Sequence, residues 1–279
     1  MKRLILVPLA LILLKVLAAC SSDEEAEPEI NQVAYSAMDN YFVGPQYLPA
    51  GMTKFTLTND GQELHHQQLI AIPEGMTADQ LLAEMAEGGD APPPPGVEAA
   101  GGTSALNPGL AGSVTQNLAA GDYVMVCFVP NAEGVPRLAL GMVKPITVIP
   151  SEAPLAAAPP ADLSIDMVDF GFVVSTAITA GPKEISVVNK GEQDHKAFLV
   201  DLAPGATVQD FLGAFEPGAP PGPPPGRSLG GFQSIISGGG GSFNVDLGPG
   251  DYAFVCFVGD PNTGAPHFAL GMLHEFSIQ

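Results

Sequence analysis

The feature that most constrains this chain is that it repeats itself. Asn59-Asp-Gly-Gln-Glu-Leu-His65 matches Asn189-Lys-Gly-Glu-Gln-Asp-His195. Gly121-Asp-Tyr-Val-Met-Val-Cys127-Phe-Val matches Gly250-Asp-Tyr-Ala-Phe-Val-Cys256-Phe-Val, and Arg137-Leu-Ala-Leu-Gly-Met142 matches His267-Phe-Ala-Leu-Gly-Met272. An offset of about 130 residues is far longer than a solenoid repeat, so each copy is expected to be a domain with its own core. The boundaries expected on this basis are 33–150 and 162–279. Between them, residues 151–161 are rich in Pro and Ala with no apolar periodicity, which reads as a semi-rigid linker.

Within each copy the dominant signals are short alternating or β-branched runs bounded by Gly, Pro, Asn and Asp, the pattern of strands. Such runs occupy 54–58, 67–72 and 123–129 in the first copy, and 184–188, 197–202, 243–247 and 252–258 in the second. One helix is expected in each copy, at 77–87 and 207–215, opened in both by a Thr able to cap it. Pro-rich stretches follow at 92–95 and 217–225 and are expected to be exposed spacers. The run Gly238 to Gly241 is a turn; without a strand-to-helix switch or a following Lys it is no phosphate loop. The expected fold class is all-β: two tandem antiparallel β-sandwiches, each with one short helix.

The N-terminus carries an address rather than structure. Lys2 and Arg3 precede an apolar run at 4–14, too short to span a bilayer, and Leu17-Ala-Ala-Cys20 closes the segment. The pattern resembles a bacterial lipoprotein signal, which implies cleavage after residue 19 and acylation of Cys20. Residues 20–32, with five acidic side chains between Ser21 and Glu29, then form a solvated tether. Losing Lys2, Arg3 and Lys15 with the signal moves the formal charge from −20 to −23. That balance argues against nucleic acid and anionic lipid as partners, and it would suit a basic protein. The expected location is extracytoplasmic, tethered to a membrane by lipid.

The chemistry lies in the last stretch. A strand ending in Cys256 is followed, on one return loop, by His267 and then Met272. Soft sulfur donors with imidazole nitrogen suit a mononuclear copper of the blue type, whose long, weak axial bond typically goes to Met. A second imidazole must come from elsewhere, and His195 is the candidate. Met alone, or a Cys on a buried strand, is ordinarily structural; their order along the chain is what points to a site. Cys127 and Cys256 could pair in an exported protein, but they occupy equivalent places in the repeat, which weakens the disulfide reading.

Each copy resembles a cupredoxin, the family of plastocyanin and azurin. The second carries the pattern more fully, as Asn189-x-Gly-x-x-x-His195, Tyr252-x-Phe-x-Cys256 and His267-x-x-x-x-Met272. The resemblance implies His195, Cys256 and His267 as strong ligands, Met272 as the axial one, and one copper per chain. Two departures stand out: Gly259-Asp-Pro-Asn-Thr-Gly264 lengthens the Cys256–His267 gap, and Lys196 follows His195 where small copper proteins often have Asn. In the first copy His65, Cys127 and Met142 persist, but Arg137 stands where His267 stands. A guanidinium cannot be a ligand, so that site is expected to be degenerate. His66 should point to the opposite face of its strand from His65.

The expected role is an electron carrier or other copper-binding protein rather than an enzyme. Two fused cupredoxin domains also resemble copper nitrite reductases and multicopper oxidases, which wire the blue site to a second centre through a His adjoining the Cys. Here the neighbours are Val255 and Phe257, and the chain has only five His. The alternatives are a metal-free interaction protein and a copper storage or delivery protein.

Overall fold

A computed structural model of the chain describes residues 28–88, 95–215 and 222–279. The signal at 1–19, Cys20, most of the tether and parts of both Pro-rich stretches lie outside the described residues. The first half contains β1 (Asn31–Met38), β2 (Tyr41–Val43), β3 (Tyr47–Pro49), β4 (Gly51–Asn59), β5 (Gln68–Ala71), α1 (Ala78–Gly88), β6 (Glu98–Ala99), β7 (Ala111–Leu118), β8 (Gly121–Val126) and β9 (Val143–Ile149). The second contains β10 (Leu163–Val168), β11 (Gly171–Val174), β12 (Gly181–Asn189), β13 (His195–Leu202), α2 (Val208–Gly213), β14 (Gly226–Ile235), β15 (Gly240–Leu247), β16 (Gly250–Val255) and β17 (Leu273–Ile278). Among the described residues no helix is long and apolar enough to cross a membrane.

The architecture is an all-β sandwich with two α-helices among the described residues, as the strand and helix signals suggest. Both helices open on a reciprocal cap: Gln80 N–H donates to Thr77 Oγ1, and Asp210 N–H donates to Thr207 Oγ1. Each acceptor side chain reaches back to its Thr main-chain N–H, as in a capping box. The sheets are not purely antiparallel. β1 runs parallel to β4, β10 parallel to β12, and β3 parallel to β9.

Two layers run through both halves. One is a single eight-stranded sheet in the order β11-β10-β12-β15-β7-β4-β1-β2, in which β15 and β7 join the halves through Ser242 opposite Thr115, Phe243 opposite Val114 and Asn244 opposite Ser113. The other consists of β14-β13-β16-β17 and β3-β9-β8-β5-β6. These two sheets meet where residues 100–106 pair antiparallel with β14, at Ala100–Ile235, Thr103–Phe232 and Leu106–Leu229. A continuous apolar core lies between the layers and draws on both halves.

Strand alternation explains why the strands nearest the site read as nearly unbroken apolar runs. On β16 and the residue after it, Tyr252, Phe254 and Cys256 face this core, while Ala253 and Val255 face a second cluster beneath α2. On β13, Ala197 and Leu199 face inward while Phe198 and Val200 pack towards Val208, Phe211 and Leu212. A strand covered on both faces needs apolar residues at every position. Fully burying each of the larger side chains contributes about 1.5–3 kcal/mol.

Candidate metal centre

His195 opens β13 and Cys256 directly follows β16, so the pairing of those strands brings both to the same end of the sheet. The return loop supplies the third group. Cys256 N–H donates to Met272 O at 3.2 Å, Phe268 N–H to Cys256 O at 2.9 Å, and Met272 N–H to His267 O at 2.9 Å. These bonds close a short 3-10 turn at His267–Leu270, ended by Gly271 at φ 108°, a value a side chain would strain. The extra residues of the loop do not displace the imidazole. They form a local turn pinched off where Gly259 pairs with Pro266, while His267 N–H still donates to Val258 O at 2.8 Å.

The result is a buried cluster. His195, Cys256 and His267 are each fully inaccessible, with one ligand atom from each lying within 4.8 Å of the others. His195 Nδ1 is 3.0 Å from His267 Nδ1, and Cys256 Sγ is 4.0 and 3.5 Å from these two nitrogens. Bonds of about 2.0–2.3 Å, typical of imidazole and thiolate on a borderline divalent ion, put donors about 3.3–3.8 Å apart, so the spacing suits a single ion. Met272 is fully buried in the core cluster that contains Cys256.

Three supports were not legible as site residues. Asp169, on the turn between β10 and β11, receives His195 Nε2 at 2.6 Å. An ionised carboxylate only accepts, so Nε2 carries the proton and the Nδ1 lone pair faces the cluster. Burial alone would raise Asp169, but N–H bonds from Glu192 and Gln193 and the His195 contact hold it below the usual range. Gln193 Oε1 meets His267 Nε2 at 2.9 Å, and Gln193 Nε2 donates to Asp260 Oδ2 at 2.8 Å. The third support is Asp260, in the extra turn, whose hydrogen bonds from Gln193 and Thr263 bring it down to about 2.

The Asn-x-Gly-x-x-x-His motif now has a physical cause. Asn189 Nδ2 donates to Gln193 O and Ile235 O, and its Oδ1 accepts from Gly191 N–H, which ties the loop to β14. A Cβ at Gly191 would overlap both Asp169 Oδ1 and His195 Nε2, so only Gly leaves room for that pair. Lys196, in place of the expected Asn, donates its main-chain N–H to Cys256 Sγ at 3.5 Å and sets its ammonium 5.2 Å from the Phe257 ring centroid. Burial raises the Cys256 thiol, so a metal must displace its proton. Burial and the neighbouring His195 lower His267, which favours the neutral ring that ligands need.

The first half keeps the frame with different chemistry. His65 Nδ1 lies 3.9 Å from Cys127 Sγ, and its Nε2 is 3.3 Å from Asp39 Oδ1. Arg137 is buried and bonds to the Asp39 carbonyl and the Glu63 carboxylate, with Nε unpaired among the described residues. Met142 is buried nearby in the core. His66 faces away from Cys127: its Nε2 accepts the Phe128 N–H at 2.6 Å and Nδ1 meets Gln233. Burial brings His66 down to about 3. Both Cys127 and Cys256 are free thiols.

Comparison with solved structures finds auracyanin B, 26% identical over 43% of this chain and 89% of that chain, with a TM-score of 0.31. Auracyanin A of Chloroflexus aurantiacus, described as a "blue" copper protein, is 17% identical over 43% of this chain and all of that chain, with a TM-score of 0.31. A multicopper oxidase is 14% identical over 89% of this chain and 88% of that one, with a TM-score of 0.26. No protein-family model matches the chain, and no curated protein matches it. Superpositions this loose transfer nothing residue by residue. The fold is an all-β sandwich, and the site rests on its own geometry.

Proposed function

We propose that this chain is a copper-binding protein of the electron-carrier type, with one copper per chain, held by His195, Cys256, His267 and axially by Met272. The observation that carries the reading is the buried convergence of two imidazole Nδ1 atoms and one thiol, with a carboxylate fixing the proton of His195 on the far nitrogen. A soft sulfur with two imidazoles is a copper donor set. Bound copper supplies one-electron chemistry by cycling between Cu(I) and Cu(II). The residues of the chain hold the donors in place from two strands and a pinned loop, so little need move when charge changes. Val255 and Phe257 flank Cys256 and neither can ligate, which favours a carrier over a multicopper enzyme.

The first half is read as a copy of the second, arisen by tandem duplication, in which Arg137 has replaced the imidazole a metal needs. Residues 33–150 and 162–279 are the two domains of this reading, joined by 151–161. The chain is further proposed to be acylated at Cys20 and tethered outside the cytoplasm, where its acidic surface would meet a basic redox partner. Fractionation of a Cys20→Ser variant, expected in the soluble fraction, checks the anchor.

The copper reading is tested by loading the purified protein with Cu(II), counting copper per chain and recording its absorbance. One copper and an intense visible band are expected. Cys256→Ser should abolish the band, Met272→Leu should keep copper and shift the potential, and Cys127→Ser should leave the spectrum unchanged. A protein that takes up no copper after reconstitution refutes the reading and leaves a metal-free interaction protein.

A further inference from the structure

The lengthened loop between Cys256 and His267 contains a side chain with more polar contacts than a turn requires. Asp260 Oδ1 accepts from the N–H of Asn262 at 3.0 Å, the N–H of Thr263 at 2.7 Å and the Thr263 hydroxyl at 2.9 Å. Those three donors hold the turn. Its second oxygen faces the other way and takes Gln193 Nε2 at 2.8 Å. The Gln193 side chain in turn hydrogen-bonds His267 Nε2, 2.9 Å away.

We propose that Asp260, acting through Gln193, fixes the proton of His267 on Nε2 and so frees Nδ1 to face Cys256. The reasoning runs along the donors. An ionised carboxylate only accepts, so it must face the amide NH2 of Gln193. The amide is planar, and its carbonyl oxygen is thereby turned to His267 Nε2. An amide oxygen also only accepts, so that ring nitrogen carries the hydrogen. The remaining nitrogen, Nδ1, keeps its lone pair towards the cluster, 3.0 Å from His195 Nδ1 and 3.5 Å from Cys256 Sγ. Asp260 and Gln193 are positioning residues: neither reaches the cluster, yet together they decide which ring atom is presented to it.

The first half shows the same positions with the polarity changed. Asn131, four residues after Cys127 as Asp260 is after Cys256, accepts from the N–H groups of Glu133 and Val135 and so keeps the turn-holding role. Glu63 stands at the place of Gln193, and Arg137 at that of His267. There the carboxylate has moved next to the loop residue and pairs with a guanidinium. The acid at 260 and the amide at 193 accompany an imidazole; the amide at 131 and the acid at 63 accompany a cation.

The inference rests on the copper reading only for the purpose of Nδ1; the proton position itself is measurable without metal. The test compares Asp260→Asn with Asp260→Ala in the full chain. Asn keeps an oxygen for the turn but turns its NH2 to Gln193, which must then rotate its amide. Gln193 would present NH2 to His267 Nε2 and drive the ring proton to Nδ1. Ala removes the acceptor and imposes neither orientation. Long-range 1H–15N spectra of the metal-free protein at pH 8 should show His267 protonated at Nε2 in the wild type, at Nδ1 in Asp260→Asn, and mixed in Asp260→Ala.

Copper affinity should fall in the same order. Asp260→Asn, the isosteric change, should lose about 10–100-fold, the usual range for residues that orient a ligand, and Asp260→Ala less. A purely structural role predicts the reverse order, since Asn preserves the turn and Ala does not. Nε2 protonation in all three proteins, or a larger loss for Ala than for Asn, overturns the proposal. A wild type that shows the expected ring proton and its switch in Asp260→Asn, yet binds no copper, supports the relay and refutes the copper reading alone.

Discussion

Replacing Asn189 with Ala removes three hydrogen bonds at a point with no access to water. Its Nδ2 donates to Gln193 O at 2.7 Å and Ile235 O at 2.9 Å, and its Oδ1 accepts from Gly191 N–H at 3.0 Å. The side chain is fully buried; Gly191 N–H keeps its bond to Met167 O, while the Gln193 and Ile235 carbonyls lose this donor. Each bond contributes a net ~1 kcal/mol, and stranded buried groups add to the loss, which gives about 3–4 kcal/mol in all. For a chain of this size each kcal/mol lowers Tm by ~2–4 °C, so the shift should be about 6–16 °C. Urea unfolding and calorimetry of the metal-free protein measure both quantities.

The isosteric change separates hydrogen bonding from packing. Asn189→Asp keeps the shape but sets a carboxylate oxygen against two carbonyls, and it should cost at least as much as Ala at pH 7. Asn59 makes the equivalent bonds, to Glu63 O at 2.8 Å, Leu106 O at 2.7 Å and from Gly61 N–H at 3.0 Å, so Asn59→Ala should match Asn189→Ala. A loss below about 1 kcal/mol for Asn189→Ala, or an Asp variant as stable as wild type, would refute the assignment.

Burial pushes the Cys127 thiol up to about 11 and raises Cys256 too. An unfolded thiol ionises near ~8.5, so stability from these groups is fully present below that pH and is lost as pH rises through about 11 for Cys127. Urea unfolding of the metal-free protein should therefore give a lower free energy at pH 10 than at pH 8, by about 2 kcal/mol from Cys127 alone, and Cys127→Ser should remove that share while the part due to Cys256 remains. The half from 162 to 279, expressed alone, uncovers the edges of β14 and β15 that pair with the first half. It should self-associate through them, read as a dimer mass by light scattering; a monomer as heat-stable as the full chain would refute the importance of the shared sheet.

The sequence could single out Cys256 and His267, which the structure brings together with His195, because their order survives as a local pattern around one late hairpin. It could place most strand centres for a similar reason: alternation and turn residues act within a few positions. Strand order was not readable. The pairing of β15 with β7 is set by contacts about 130 residues apart, and nothing near Ser113 or Asn244 marks an inter-half seam. The parallel pairing of β1 with β4 likewise depends on a crossover that local signals do not encode. Asp169 was missed because it lies 26 residues before His195 on an ordinary-looking turn. A signal was nevertheless present: Asp39 precedes His65 by the same interval, so the repeat held that carboxylate along with the imidazole.

The two halves also show why a ligand pattern alone understates what a site requires. Arg137 does not merely remove an imidazole from the first half. It brings a buried cation to the place of a neutral ring, and a buried cation needs a carboxylate partner, which Glu63 supplies. Restoring the imidazole alone, as Arg137→His, would leave Glu63 facing a ring where the second half has a neutral amide oriented by Asp260. Glu63 would then accept the Nε2 hydrogen directly, as Asp169 does at His195, in place of a neutral amide. Glu63 and Arg137 are one ion pair, whereas Asp260, Gln193 and His267 are one hydrogen-bonded chain. The residue at 63 or 193 thus follows the charge of the group it faces, a cation in one half and a neutral ring in the other.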